Sequence, residues 1–157
     1  MSDHRIVDIS LDDKSVIRRS PEVEHELNVA VYDILEQNSF EPVGRYAGPY
    51  RLHLSIEDRR RLVFAVADEA DTPQGRVVLP LVPFRRIVRD YFQICESYYD
   101  AIKRLSPSQI ETLDMARRAI HNEGSQILME RLEEKVNLDD ETARRLFTLV
   151  CVLHIRA

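Results

Sequence analysis

The chain of 157 residues has no tryptophan, two cysteines, four glycines and three methionines. Its apolar runs are short. The longest, Leu146–Ile155, contains Thr148 and His154 and falls well below the roughly 20 residues a membrane helix needs. Glycine is too sparse for a phosphate-cradling loop. There is no P-loop, G-x-G-x-x-G or G-x-S-x-G, and Gly44 and Gly48 lack the lysine and spacing such a loop requires. The two cysteines, Cys95 and Cys151, fall inside apolar helical patterns, where a thiol is packed and inert. Lysine is scarce too: Lys14, Lys103 and Lys135 are the only ones, and every other strong base is arginine. Codon usage accounts for this bias more simply than anion recognition by guanidinium forks does. The net charge of −5 and pI near 5.6 argue against broad nucleic-acid binding, which depends on neutralising phosphates. Met1-Ser2-Asp3-His4 does not resemble the start of a signal peptide, and with reduced thiols a cytoplasmic protein is expected.

What is present fits one domain over residues 1–157, strand-rich with one helix over 1–82 and helical over 83–157. Residues Arg5–Asp12 alternate, with Val7, Ile9 and Leu11 on one side, and predict a strand. Ser20-Pro21-Glu22 opens a helix to about Asn38, with Val23, Leu27, Ala30, Val31 and Ile34 inward and Val29 and Tyr32 on the far side. Pro42–Pro49 reads as a turn-rich connection. Alternation at Tyr50–Ile56 and the runs Leu62–Ala67 and Arg76–Leu81 predict three more strands, antiparallel by their hairpin spacing. From Pro83 an apolar face runs through Phe84, Ile87, Val88, Tyr91, Cys95, Tyr98, Ile102 and Leu105. Ser106-Pro107-Ser108-Gln109 is a capping box that starts a helix ending near Asn137. Asp139-Asp140-Glu141 opens the last helix, which is apolar nearly all round from Leu146, as suits a core or a subunit contact. The expected class is α+β: an antiparallel sheet of about four strands with four helices.

The segments Pro21-Glu22-Val23-Glu24-His25-Glu26, Gly48-Pro49-Tyr50-Arg51-Leu52-His53-Leu54, Pro83-Phe84-Arg85-Arg86-Ile87-Val88, Ser106–Ile110, Ile120–Gln126 and the Thr142–His154 tail carry a resemblance. They are similar to a family of uncharacterised alphaproteobacterial proteins over nearly the whole chain. The resemblance implies a bacterial cytoplasmic origin and brings no activity, substrate or catalytic residue with it.

Candidate sites therefore rest on physical chemistry. On a helical wheel of Ile110–Leu132, Leu113, Ile120 and Ile127 form a stripe into which Arg117, Gly124 and Arg131 also fall, with His121 at its edge. An inward arginine must find a carboxylate, a network or a bound anion. Arg117, His121 and Arg131, with Glu123 as an acid/base group, form the first candidate anion site; pairing with acids of neighbouring helices is the structural alternative. Arg85, Arg86 and Arg89 at a helix start form a second, with Arg45, Tyr46 and Arg51 able to approach; a solvated face with Arg86 paired to Asp90 is its alternative. Arg59-Arg60-Arg61 is the best local case for nucleic acid, and such a run in a hairpin turn is normally just solvated. For metal, the E-x-x-H spacing of Glu22 and His25 occurs once where a di-iron bundle needs it twice. No cofactor or metal is expected. Two functional classes follow: a non-catalytic interaction module, homodimeric through the last helix and the Val29/Tyr32 face, and a binder of, or enzyme acting on, a small anionic metabolite.

Overall fold

Ten elements follow one another in this computed structural model, which describes residues 3–12 and 21–154. They are β1 (Ile6–Leu11), α1 (Pro21–Glu36), β2 (Phe40–Pro42), β3 (Tyr50–Glu57), β4 (Arg61–Ala67), β5 (Pro73–Pro80), α2 (Val82–Ile102), α3 (Pro107–Leu132), β6 (Val136–Leu138) and α4 (Asp140–His154). The class is α+β, with three of the four helices after residue 81. Ser20, at the start of the predicted first helix, lies outside the described residues.

Short connections make β3, β4 and β5 antiparallel, as their spacing predicts. The sheet as a whole is mixed, in the order β1-β3-β4-β5, because β1 runs parallel to β3. The chain between them passes through α1 and β2, and such a crossover returns it in the starting direction. A bulge between Ile6 and Asp8 also shifts the phase of β1. Ile6 therefore points into the core in place of Val7, while Ile9 is buried and Leu11 packs half-buried against the cluster, as alternation selects. Asn38 closes the edge of β1: its Oδ1 accepts from Ile6 N at 2.7 Å and its Nδ2 donates to Ile6 O at 3.0 Å.

Two short strands were not expected. β2 and β6 pair antiparallel, so Pro42, read as the start of the turn, closes a strand instead, and α3 stops at Leu132 before Asn137. Glu134 takes left-handed backbone (φ 69°) between helix and strand. The apolar face of α2 also ends sooner than its sequence suggests. Ala101 is buried, while Ile102 and Leu105 are exposed at the α2–α3 turn.

One hydrophobic cluster joins the inner face of the sheet to the helices. At its centre is α4, whose Leu146, Phe147, Leu149, Val150 and Leu153 are fully buried. Its all-round apolar character is thus used within the chain, against α1, α3 and β3. The capping box of α3 forms as read: Gln109 N donates to Ser106 Oγ, and Ser106 N donates to Gln109 Oε1 at 3.1 Å. Gly124 lets α3 approach α4, because a Cβ there would meet the buried ring of Phe147. The buried face of α3 runs through Gly124, Ser125, Leu128 and Leu132, to one side of the stripe at Leu113, Ile120 and Ile127, whose side chains are half-buried.

Candidate functional site

A cleft of about 630 Å³ opens among the four helices, within the range of small-molecule sites. One end is aromatic and is built by Tyr98 and Tyr99 of α2 with Arg117 and Arg118 of α3. Glu26 of α1, Tyr91 of α2 and His121 of α3 line the middle. The other end holds Asp33 of α1 with Glu141, Arg144, Arg145 and Thr148 of α4. Helical spacing explains the grouping: Arg117 and His121, like Arg144 and Thr148, are four apart and share a face.

Glu26 organises the middle. Its Oε1 accepts from the Tyr99 hydroxyl at 3.1 Å, from Arg117 Nη1 at 3.4 Å and from the Tyr91 hydroxyl at 3.5 Å. Arg117 also donates through Nη2 to Asp114 Oδ1 at 2.7 Å, and its Cζ lies 4.8 Å from the centre of the Tyr98 ring. Burial works against the Arg117 charge, but the hydrogen bond and charge of Asp114 offset it and its pKa is raised. The same contact is the chief reason the Asp114 pKa is lowered. Arg117 is therefore inward and paired.

His121 packs edge-on between Tyr91 and Phe147, with ring centroids 5.3 and 5.1 Å away. Its Nε2 lies 2.8 Å from Thr148 Oγ1. Burial, helped by the charges of Arg144 and Arg117, pushes its pKa down to about 4, so the imidazole is neutral near pH 7. Among the described residues, the buried His121 Nδ1 and Arg117 Nε find no hydrogen-bond partner. Arg118 pairs with Asp114 at 3.0 Å and Arg145 with Glu141 at 3.6 Å. Arg144 differs: its guanidinium is held by the neutral side-chain oxygen of Asn122, and among the described residues no carboxylate lies within ion-pair distance.

The remaining sequence candidates do not join this cleft. Arg131 is exposed, because it stands in the last turn of α3, where a cation suits the helix dipole. Glu123 is exposed on the opposite side of α3. Arg85, Arg86 and Arg89 are exposed on α2; Arg86 pairs with Asp90 at 3.5 Å and Arg85 donates to the Arg59 carbonyl at 2.7 Å. Arg45 does not approach them. Its neighbour Ala47 is pinned to Gln74 at the start of β5, whereas α2 begins beyond the far end of that strand, roughly 20 Å on. Arg51 is likewise opposite Ala67, at the wrong end of the hairpin for Arg59-Arg60-Arg61, and pairs with Asp8 and Asp71. Among the described residues no cluster of His, Cys, Asp or Glu is placed to hold a metal. Both thiols are buried, with burial raising the pKa of each, Cys95 to about 11.

Residues 3–156 match the family model described as uncharacterised protein family UPF0262. The chain belongs to the UPF0262 family. It is 57% identical over 154 residues to a UPF0262 protein of Agrobacterium fabrum, covering 98% of this chain and 97% of the relative. A Rhizobium meliloti UPF0262 protein is 58% identical over 152 residues (97% and 95% covered), and one from Paramagnetospirillum magneticum is 57% identical over 152 (97% and 96%). No solved structure matches the chain. Among the described residues no helix is long and apolar enough to cross a membrane.

The arrangement found in this UPF0262 protein was partly hidden in its sequence. Little in the sequence marks Glu26, Tyr99 and Arg144, because each lies on a different helix from the inward arginine Arg117. The one signal for Glu26 was its place on the inward side of α1, one residue before Leu27 and four before Ala30.

Proposed function

We propose that this bacterial protein binds a small anionic metabolite in the four-helix cleft, in the cytoplasm and without transforming it. The observation that carries the reading is Arg144, a cleft-lining guanidinium whose charge is met by an amide oxygen instead of a carboxylate. An anionic group there would be held by a forked donor. Tyr91, Tyr98 and Tyr99 supply apolar surface for the rest of the ligand. Binding is favoured over catalysis because His121, with its pKa near 4, is a poor base at neutral pH and the thiols are held protonated.

A thermal-shift screen against phosphate, nucleotides, sugar phosphates and carboxylic acids tests this. A ligand at 100 times its Kd adds about 2.7 kcal/mol, which moves the midpoint by about 5–10 °C in a domain of this size. The expected result is a shift in the native protein that is lost in Arg144→Ala. Stability unmoved by any anion would refute the site.

A homodimeric interaction module is the second reading. The burial of α4 inside the chain leaves it the Val29/Tyr32 face of α1, where both side chains are exposed, together with Ile102 and Leu105 at the α2–α3 turn and Met115 further along α3. Light scattering at micromolar concentration decides it: twice the chain mass favours the module, and a monomer ends it.

A further inference from the structure

Two arginine runs far apart in sequence meet on the surface. The β3–β4 turn carries Arg59 and Arg60, and the first turns of α2 carry Arg85 and Arg89. The Arg60 carbonyl accepts from Leu81 N at 2.8 Å, and Arg85 Nη2 donates to the Arg59 carbonyl at 2.7 Å, so turn and helix start are tied together. Their neighbours are neutralised: Arg61 by Asp58 at 2.6 Å and Arg86 by Asp90 at 3.5 Å. Among the described residues, Arg59, Arg60, Arg85 and Arg89 have no carboxylate within ion-pair distance, and all four are exposed. Val82 lies on the same face of α2, three and seven residues before Arg85 and Arg89, and is 65% exposed. Arg59 moreover keeps a left-handed backbone (φ 56°) where glycine or asparagine sits without strain.

We propose that this patch docks an acidic segment of a protein partner, with one apolar side chain set on Val82 and carboxylates around it on the four arginines. The mixture decides the class of partner. A nucleic-acid backbone would leave Val82 with nothing apolar to cover it, and the patch offers no exposed aromatic ring on which bases could stack. In a chain of net charge −5, four unpaired guanidiniums at one place also orient an acidic partner that the rest of the surface repels. The surface is separate from the cleft, whose lining includes none of these residues.

Fluorescence anisotropy at low and physiological salt tests the proposal with three labelled probes: a peptide of glutamates around leucines, an all-glutamate peptide of equal length, and a short DNA duplex. The leucine-containing peptide should bind most tightly, and Val82→Ser should abolish its advantage over the all-glutamate one. Charge reversal at Arg59, Arg85 and Arg89 together should weaken binding by about tenfold or more. Arg89→Glu alone, at an exposed site, gives a smaller loss and serves if the triple variant does not fold. Failure of the leucine-containing peptide to bind at low salt, binding unaffected by the reversals, or tighter binding of the duplex would each overturn it.

Discussion

Arg117 is held by Glu26, Asp114 and the face of Tyr98, with only about a quarter of its side chain exposed. Its neighbour Arg118 shares Asp114 from the solvent side and is 70% exposed. The two arginines should therefore behave differently. Arg117→Ala leaves Glu26 half-buried with only the two tyrosine hydroxyls and should cost about 3 kcal/mol. Arg118→Ala should stay within about 0.5 kcal/mol. Urea melts of the two variants check this, and equal midpoints would contradict it. His121 sets a pH dependence. The unfolded imidazole takes up a proton near its ordinary 6.5, the folded one only near 4. Between those values the unfolded state binds more protons, so stability is full above about pH 6.5 and falls towards pH 4. The loss is at most on the order of 3 kcal/mol, at about 1.4 kcal/mol per pH unit. Melts across this window should show the slope, and His121→Asn should flatten it; His154, also lowered by burial, contributes in the same direction and remains in that variant.

At the scale of elements, Gly124 sets how closely α3 approaches α4. Alanine there gains about 1 kcal/mol of helix propensity but drives a Cβ into the ring of Phe147, which is fully buried and has nowhere to move. The net effect should be a destabilisation of about 1–3 kcal/mol. Phe147→Leu in the same chain should recover part of it, and a double-mutant cycle reads the coupling. This contact shows what was legible in the sequence. A glycine in a helix interior marks a close approach, but not which helix comes near. The capping box was readable outright because all its bonds are local to Ser106 and Gln109. The three hairpin strands were readable because alternation and short turns are local too. What escaped was non-local. The parallel pairing of β1 depends on where α1 sends the chain, and three-residue β2 and β6 are too short to show a period. The Val7 phase was lost to a bulge, and Arg131 was placed inward because a wheel continues past the point where the packing partners end. The cleft failed to show for the same reason: its members come from four helices, so the groups that face one another across it lie far apart in sequence.

At the scale of the whole molecule, the strand-rich and helical halves share one hydrophobic cluster, with α4 packed on both β3 and α3. Opening either half would expose the apolar surface of the other, so cooperative unfolding is expected. The two cysteines report on this without any substitution. Cys95 sits on α2, Cys151 on α4, and burial holds both thiols protonated and shielded. Neither should react with a thiol reagent under native conditions near pH 8. Both should become reactive together along a urea titration, at the midpoint read by tyrosine fluorescence. Reaction of Cys95 at lower urea than Cys151 would mean that α2 detaches as a separate unit. The tyrosine end of the cleft would then be built on a movable helix, whereas coincident labelling means that the cleft and the sheet stand or fall as one structure.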